Sequence, residues 1–101
     1  MSFQLTASAQ QDLHAIKAHT FEHWGSDQSQ RYLVGFRGLF EILADMPSMG
    51  FKRSEIDATT YSFTYKSHVS YYKLSDDISS SIIVFAVLHK NSVPTLHLKN
   101  R

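Results

Sequence analysis

The run Ile82-Ile83-Val84-Phe85-Ala86-Val87-Leu88 is apolar at every position. A strand with one wet face alternates apolar and polar residues, so an unbroken run of this length reads as a strand covered on both faces, interior to a sheet. It is far too short to cross a bilayer. Working outward, residues 59–65 and 68–74 are rich in Tyr, Phe, Thr and Val, as strands are. Lys66-Ser67 makes a tight hairpin connection between them, and Ser75-Asp76-Asp77 leads on to the central strand over 81–89.

The first half of the chain has another period. Phe3-Gln4-Leu5-Thr6 alternates as a short half-buried strand, and Thr6 or Ser8 is placed to cap a helix. Ala9, Leu13, Ile16, Thr20 and Trp24 then recur in steps of three and four, one stripe of an amphipathic helix. Gly25 stands where that helix ends in a left-handed residue, with Trp24 plugging the turn. Ser26 or Asp27 caps a second helix with an apolar face of Tyr32, Phe36, Leu39, Phe40, Leu43 and Ala44, stopped by Pro47 and Gly50. Gly35 and Gly38 weaken it by roughly 1 kcal/mol each and are expected to let the first helix approach closely. So short a link between helices makes an antiparallel hairpin. The expected fold is a single α+β domain over residues 1–101, an N-terminal strand and two-helix hairpin packed on a mostly antiparallel twisted sheet. Leu13, Ile16, Phe36, Leu43, Val84 and Leu88 are expected in its core.

Composition narrows the chemistry. A chain of 101 residues without cysteine has no disulfide, thiolate zinc site or cysteine nucleophile. Residues 1–20 are amphipathic and lack the basic start and apolar stretch of a signal peptide, so a soluble cytoplasmic protein is expected. The net charge of +1 is unevenly spread. Residues 1–50 carry more acids than bases, residues 51–101 the reverse, and no acid follows Asp77. Such a basic end suits an acidic partner or nucleic acid, or is simply a solvated tail. His19 and His23 share a helical face, but His14 is rotated away and no HExxH motif or acidic third ligand accompanies them, so no metal site is expected. Tyr61, Phe63, Tyr65, Tyr71 and Tyr72 make an aromatic sheet, of which alternate members face the helices. No phosphate-cradling glycine loop, Ser/His/Asp order or paired-carboxylate motif is present, and no cofactor is expected.

The chain carries in order Phe3-x-Leu5-Thr6-x-x-Ala9-x-x-Asp12-Leu13-x-x-Ile16, then Thr20-x-x-x-Trp24-Gly25-x-x-Gln28-x-x-x-Tyr32, then Leu43-Ala44-x-x-Pro47-x-x-Gly50. Ser67-His68-Val69-x-x-Tyr72, Val87-Leu88-His89 and His97-Leu98 follow. With these motifs at these separations the whole chain resembles the ParE branch of the RelE/ParE toxin family. The resemblance implies the toxin of a type II toxin–antitoxin pair, silenced by a cognate antitoxin in a hetero-oligomer. ParE-like members poison DNA gyrase; RelE-like members cut mRNA on the ribosome. In the RelE pattern, arginines on the third strand and after the last strand, with a tyrosine near the C-terminus, serve the cleavage. Val69, Asn91 and His97 stand at those positions here. Valine and asparagine carry no charge to offset a developing phosphorane, which argues against a nuclease. If the chain is one, His97 is its best candidate.

The chain also departs from the ParE pattern, with Tyr61 and Ala86 where arginines are common and Ser92-Val93 in place of Met-Asp. A toxin reduced to binding antitoxin is therefore a further alternative. The resemblance makes His89, Lys90, Asn91, His97, Lys99 and Arg101 the expected target-binding residues, and Trp24, Tyr32, Phe36, Lys52 and Arg53 the expected antitoxin contacts. Neither membrane attachment nor sequence-specific nucleic-acid binding is expected. His68, directly after a turn, is expected to bond a turn carbonyl. Residues 94–101 lie beyond the central strand and are expected to be dispensable for folding.

Overall fold

The computed structural model describes residues 2–99 and 101. The chain runs β1 (Phe3–Leu5), α1 (Ala7–Asp45), a single 3-10 turn (Pro47–Met49), β2 (Phe51–Lys52), β3 (Tyr61–Tyr65), β4 (His68–Leu74), β5 (Ile82–His89) and α2 (Pro94–His97). Thr6 caps α1, its hydroxyl accepting from the Ala9 N–H at 3.2 Å. The 39 residues of α1 would make a straight rod of about 58 Å, yet the molecule is only 38 Å in its longest dimension. The helical stretch folds back at Gly25 (φ 86, ψ 177). Its two limbs touch through Thr20 and Ser29, whose hydroxyls lie 2.9 Å apart, and through the Ser29 hydroxyl, which donates to the Lys17 carbonyl at 3.1 Å.

The hairpin differs from the expected one in detail. No loop separates two capped helices; one residue makes the reversal, and its ψ is that of an extended, mirror-image conformation open essentially to glycine alone. Trp24 does not plug this turn but stands 63 % exposed beside it. Nor do Gly35 and Gly38 bring the limbs together. A Cβ on Gly35 would fall 1.9 Å from the Tyr65 hydroxyl oxygen on β3, whereas Gly38 faces open space. Gly35 therefore serves helix-to-sheet packing.

The sheet order is β1-β5-β4-β3-β2, with β1 parallel to β5 and every other pair antiparallel. One face packs on the hairpin, where Ile82, Val84, Val87 and Tyr72 meet Ile16, Phe36, Phe40 and Leu43; Leu13 is partly buried at its margin. The other face carries a second cluster, Val69, Tyr71, Phe85, Ala86 and Leu88, covered by Leu98 and flanked by Ile56. Two apolar faces account for the unbroken apolar run of β5. The strand also holds a bulge. Tyr72 pairs with Val84 and Tyr71 with Ala86, which leaves Phe85 unpaired and puts it and Ala86 together on the outer face. The Val87 N–H just past the bulge donates to the Asp12 carboxylate of α1 at 3.0 Å.

The segment after β5 packs on the sheet through Leu98 and Arg101, where the sequence led to a dispensable tail. Leu98 is 9 % exposed in the outer cluster, and Arg101 forms a two-point ion pair with Asp12, Nη2 to Oδ1 at 3.2 Å.

Candidate functional site

Three surface regions carry the chemistry. The first is the C-terminal end of β5 and the segment after it. His89, Lys90, Asn91, His97 and Lys99 are exposed there, and the Asn91 N–H donates to His89 Nδ1 at 3.1 Å, turning the chain at the strand end. Arg101 is separate from them in role, its guanidinium engaged by Asp12. Val69 and Ala86 are 8 % and 0 % exposed beneath Leu98. Their apolar side chains are a single feature, the floor on which the C-terminal leucine sits. A buried arginine there would need a partner charge. Tyr61 stacks on Tyr72 with ring centroids 5.6 Å apart.

The second region is a groove of about 720 Å³ between the limbs of α1, lined by Leu13, Phe21, Leu33 and Val34 with Lys17 and Arg37 at its margin. Phe21 and Val34 are 57 % and 62 % exposed. The sequence marked none of these as contacts. The signal was present as a second apolar stripe, but such a stripe reads as core until the partner elements are known.

The third region is a pocket of about 240 Å³ at the hairpin tip, where His19, Trp24 and Tyr32 of α1 meet Lys66, His68 and His89 of the sheet. The Tyr32 hydroxyl lies 2.7 Å from His68 Nδ1, so His68 bonds a helix side chain instead of a turn carbonyl. Burial, followed by the charges of His89 and His19, pushes the His68 pKa down. The Tyr32 pKa is raised, chiefly by burial, against a bond from the Ser67 backbone. A neutral imidazole accepting the phenol proton at Nδ1 carries its own proton on Nε2.

The expected antitoxin contacts do not form one surface. Trp24 and Tyr32 stand near the His68 end of β3, while Lys52 pairs with Tyr61 at the other end of that strand. Arg53 is held by Glu55 at 2.8 Å and by the Ser62 hydroxyl at 3.1 Å, with its guanidinium over the Tyr71 ring. Phe36 is 1 % exposed; it lies in the core and cannot itself meet a partner. Among the described residues, no group of three or more His, Asp or Glu is arranged to hold a metal ion, and no helix is long and apolar enough to cross a membrane.

Comparison with known proteins gives concordant matches. Residues 3–94 match the family model of the ParE toxin of the type II toxin–antitoxin system parDE. Toxin ParE1 of Caulobacter vibrioides (strain ATCC 19089 / CIP 103742 / CB 15) is 25 % identical over 96 residues, covering 95 % of this chain and 96 % of that protein. A solved structure described as the chromosomal ParDE TA system from P. aeruginosa shares the fold at a TM-score of 0.73 with 16 % identity, over 88 % of this chain and 95 % of the other. With a family match running from β1 to the start of α2, the chain belongs to the ParE toxin family of type II toxin–antitoxin systems.

Proposed function

We propose that the chain is held silent by a cognate antitoxin and, once free, inhibits DNA gyrase by binding, without catalysing a reaction. The carrying observation is the burial of Val69 under Leu98. Metal-free RNA cleavage needs positive charge close to the developing phosphorane, and here that part of the sheet is an apolar seal. The contacts that act on gyrase come from His89, Lys90, Asn91, His97 and Lys99, the exposed polar and basic groups of the C-terminal end. Arg101 supports them by holding the tail to Asp12.

The antitoxin occupies the groove of the α1 hairpin. Its apolar floor and the cations Lys17 and Arg37 fit an amphipathic, acidic segment that folds as it docks. Trp24 and Tyr32 extend this contact at the hairpin tip, and Lys52 and Arg53 take acidic groups where the segment passes the β2 edge.

Expression without antitoxin tests the mechanism. A binding surface loses affinity in steps of about 1–3 kcal/mol per side chain, whereas a catalyst loses orders of magnitude with its one acid or base. His97→Ala is therefore expected to weaken growth arrest partly, with a DNA-damage response and intact transcripts. Complete loss of arrest in His97→Ala, beside cleavage of translated mRNA by the wild type, would replace this reading with the nuclease one.

A further inference from the structure

The pocket at the hairpin tip combines features that gyrase inhibition and antitoxin docking do not require together. Trp24 lines it with an exposed ring, and the buried Tyr32, stacked on Tyr65 with ring centroids 5.6 Å apart, lines its inner side. Its donors converge from the β3–β4 turn and from the paired ends of β4 and β5. The Lys66 ammonium lies 5.8 Å from the Tyr32 ring centroid and 5.5 Å from that of Tyr65. No acidic side chain lines the pocket. The His68 and His89 rings stand edge to face, 5.5 Å apart, in register across β4 and β5. On both, Nδ1 is already engaged, by the Tyr32 hydroxyl on one and by the Asn91 N–H on the other. A ring that accepts at Nδ1 carries a proton on Nε2 as a donor. One cation, two imidazoles and one exposed aromatic ring, with no competing carboxylate, fit an anion attached to a planar ring.

We propose that this pocket binds a nucleoside phosphate, the base against the exposed Trp24 ring and the phosphate accepting from Lys66, His68 and His89. Recognition by stacking and charge is tolerant of base identity. The same chemistry is presented by a free mononucleotide and by the phosphorylated end of a single strand. The pocket shares no lining residue with the groove of the hairpin, although it borders both proposed surfaces, through Trp24 and Tyr32 on the antitoxin side and His89 on the target side.

Trp24 is the only tryptophan of the chain, so its fluorescence, excited at the red edge of its band, reports occupancy of its own pocket. The full-length protein is titrated with 5′-AMP, 5′-UMP, adenosine, inorganic phosphate and a 5′-phosphorylated deoxythymidine oligomer. Both mononucleotides are expected to saturate the signal with similar affinity, and adenosine and phosphate alone to bind about tenfold or more weakly, because each lacks one half of the recognition. Lys66→Met, which keeps the side-chain stem, is expected to weaken AMP about tenfold. His89→Gln, at an exposed strand end, is expected to weaken it as well. An oligomer binding more tightly than AMP assigns the site to strand ends; one binding equally or more weakly assigns it to free nucleotides. Adenosine matching AMP, no saturable response to any nucleotide, or unchanged affinity in folded Lys66→Met or His89→Gln would overturn the proposal.

Discussion

His68 ties the second limb of α1 to the sheet through the Tyr32 hydroxyl. A protonated imidazole cannot accept at Nδ1. The unfolded histidine takes its proton near 6.5, whereas in the fold burial and the neighbouring His89 and His19 push that event to lower pH. Between the two values the unfolded chain holds the extra proton, so acidification favours unfolding. The unfolding free energy is expected to fall as pH drops through 6.5, above the range where the carboxylates titrate, and His68→Gln should flatten the slope in urea titrations over that window. An equal slope in the variant would remove His68 as its cause. A second pair of residues gives opposite expectations from one residue type. Gly35→Ala drives a methyl into the Tyr65 ring and should cost about 1–3 kcal/mol. Gly38→Ala meets open space within a helix and should stabilise by up to about 1 kcal/mol. Thermal melts of the two variants shifting the same way would contradict the packing described.

At the scale of elements, β5 was legible in the sequence because seven consecutive apolar residues have only one comfortable position, a strand with both faces covered. What covers its outer face was not legible. Leu98 stands in a mostly polar tail beside Leu96 and Val93, which are exposed, and only the tertiary structure selects it to lie against Val69, Phe85 and Ala86. β2 was missed for the same reason in reverse. It is two residues long, and Phe51 is 71 % exposed, so no alternation announces it. The reversal at Gly25 was marked by glycine, but the absence of a loop follows from how the limbs pack. Leu98→Ala is expected to destabilise the fold by about 2 kcal/mol, the low end for a buried leucine. Deletion of residues 94–101 should cost more, since it also strips Arg101 from Asp12. Denaturant midpoints at the wild-type value for both variants would show that the tail does not seal the sheet.

For the molecule as a whole, the toxin family was readable from motifs spread along the chain, while the surfaces were not. Trp24, Tyr32, Lys66, His68 and His89 are scattered in sequence, and the pocket they share exists only once the hairpin lies on the sheet. The groove likewise needs both limbs before Phe21 and Val34 become one surface. Phe21→Asp with Val34→Asp puts two acids where an acidic amphipathic segment is proposed to dock; it should weaken antitoxin capture about a hundredfold while leaving the melting temperature near wild type. Antitoxin affinity unchanged in that variant would move the docking site elsewhere. The central claim, inhibition by binding, is tested most directly by titrating the purified chain into a DNA gyrase supercoiling reaction and comparing the endpoint with cleavage of a translated mRNA. The account predicts loss of supercoiling that saturates as the toxin approaches the gyrase concentration, with the message intact. Untouched supercoiling, beside message cut by toxin in amounts far below the ribosomes present, would contradict it.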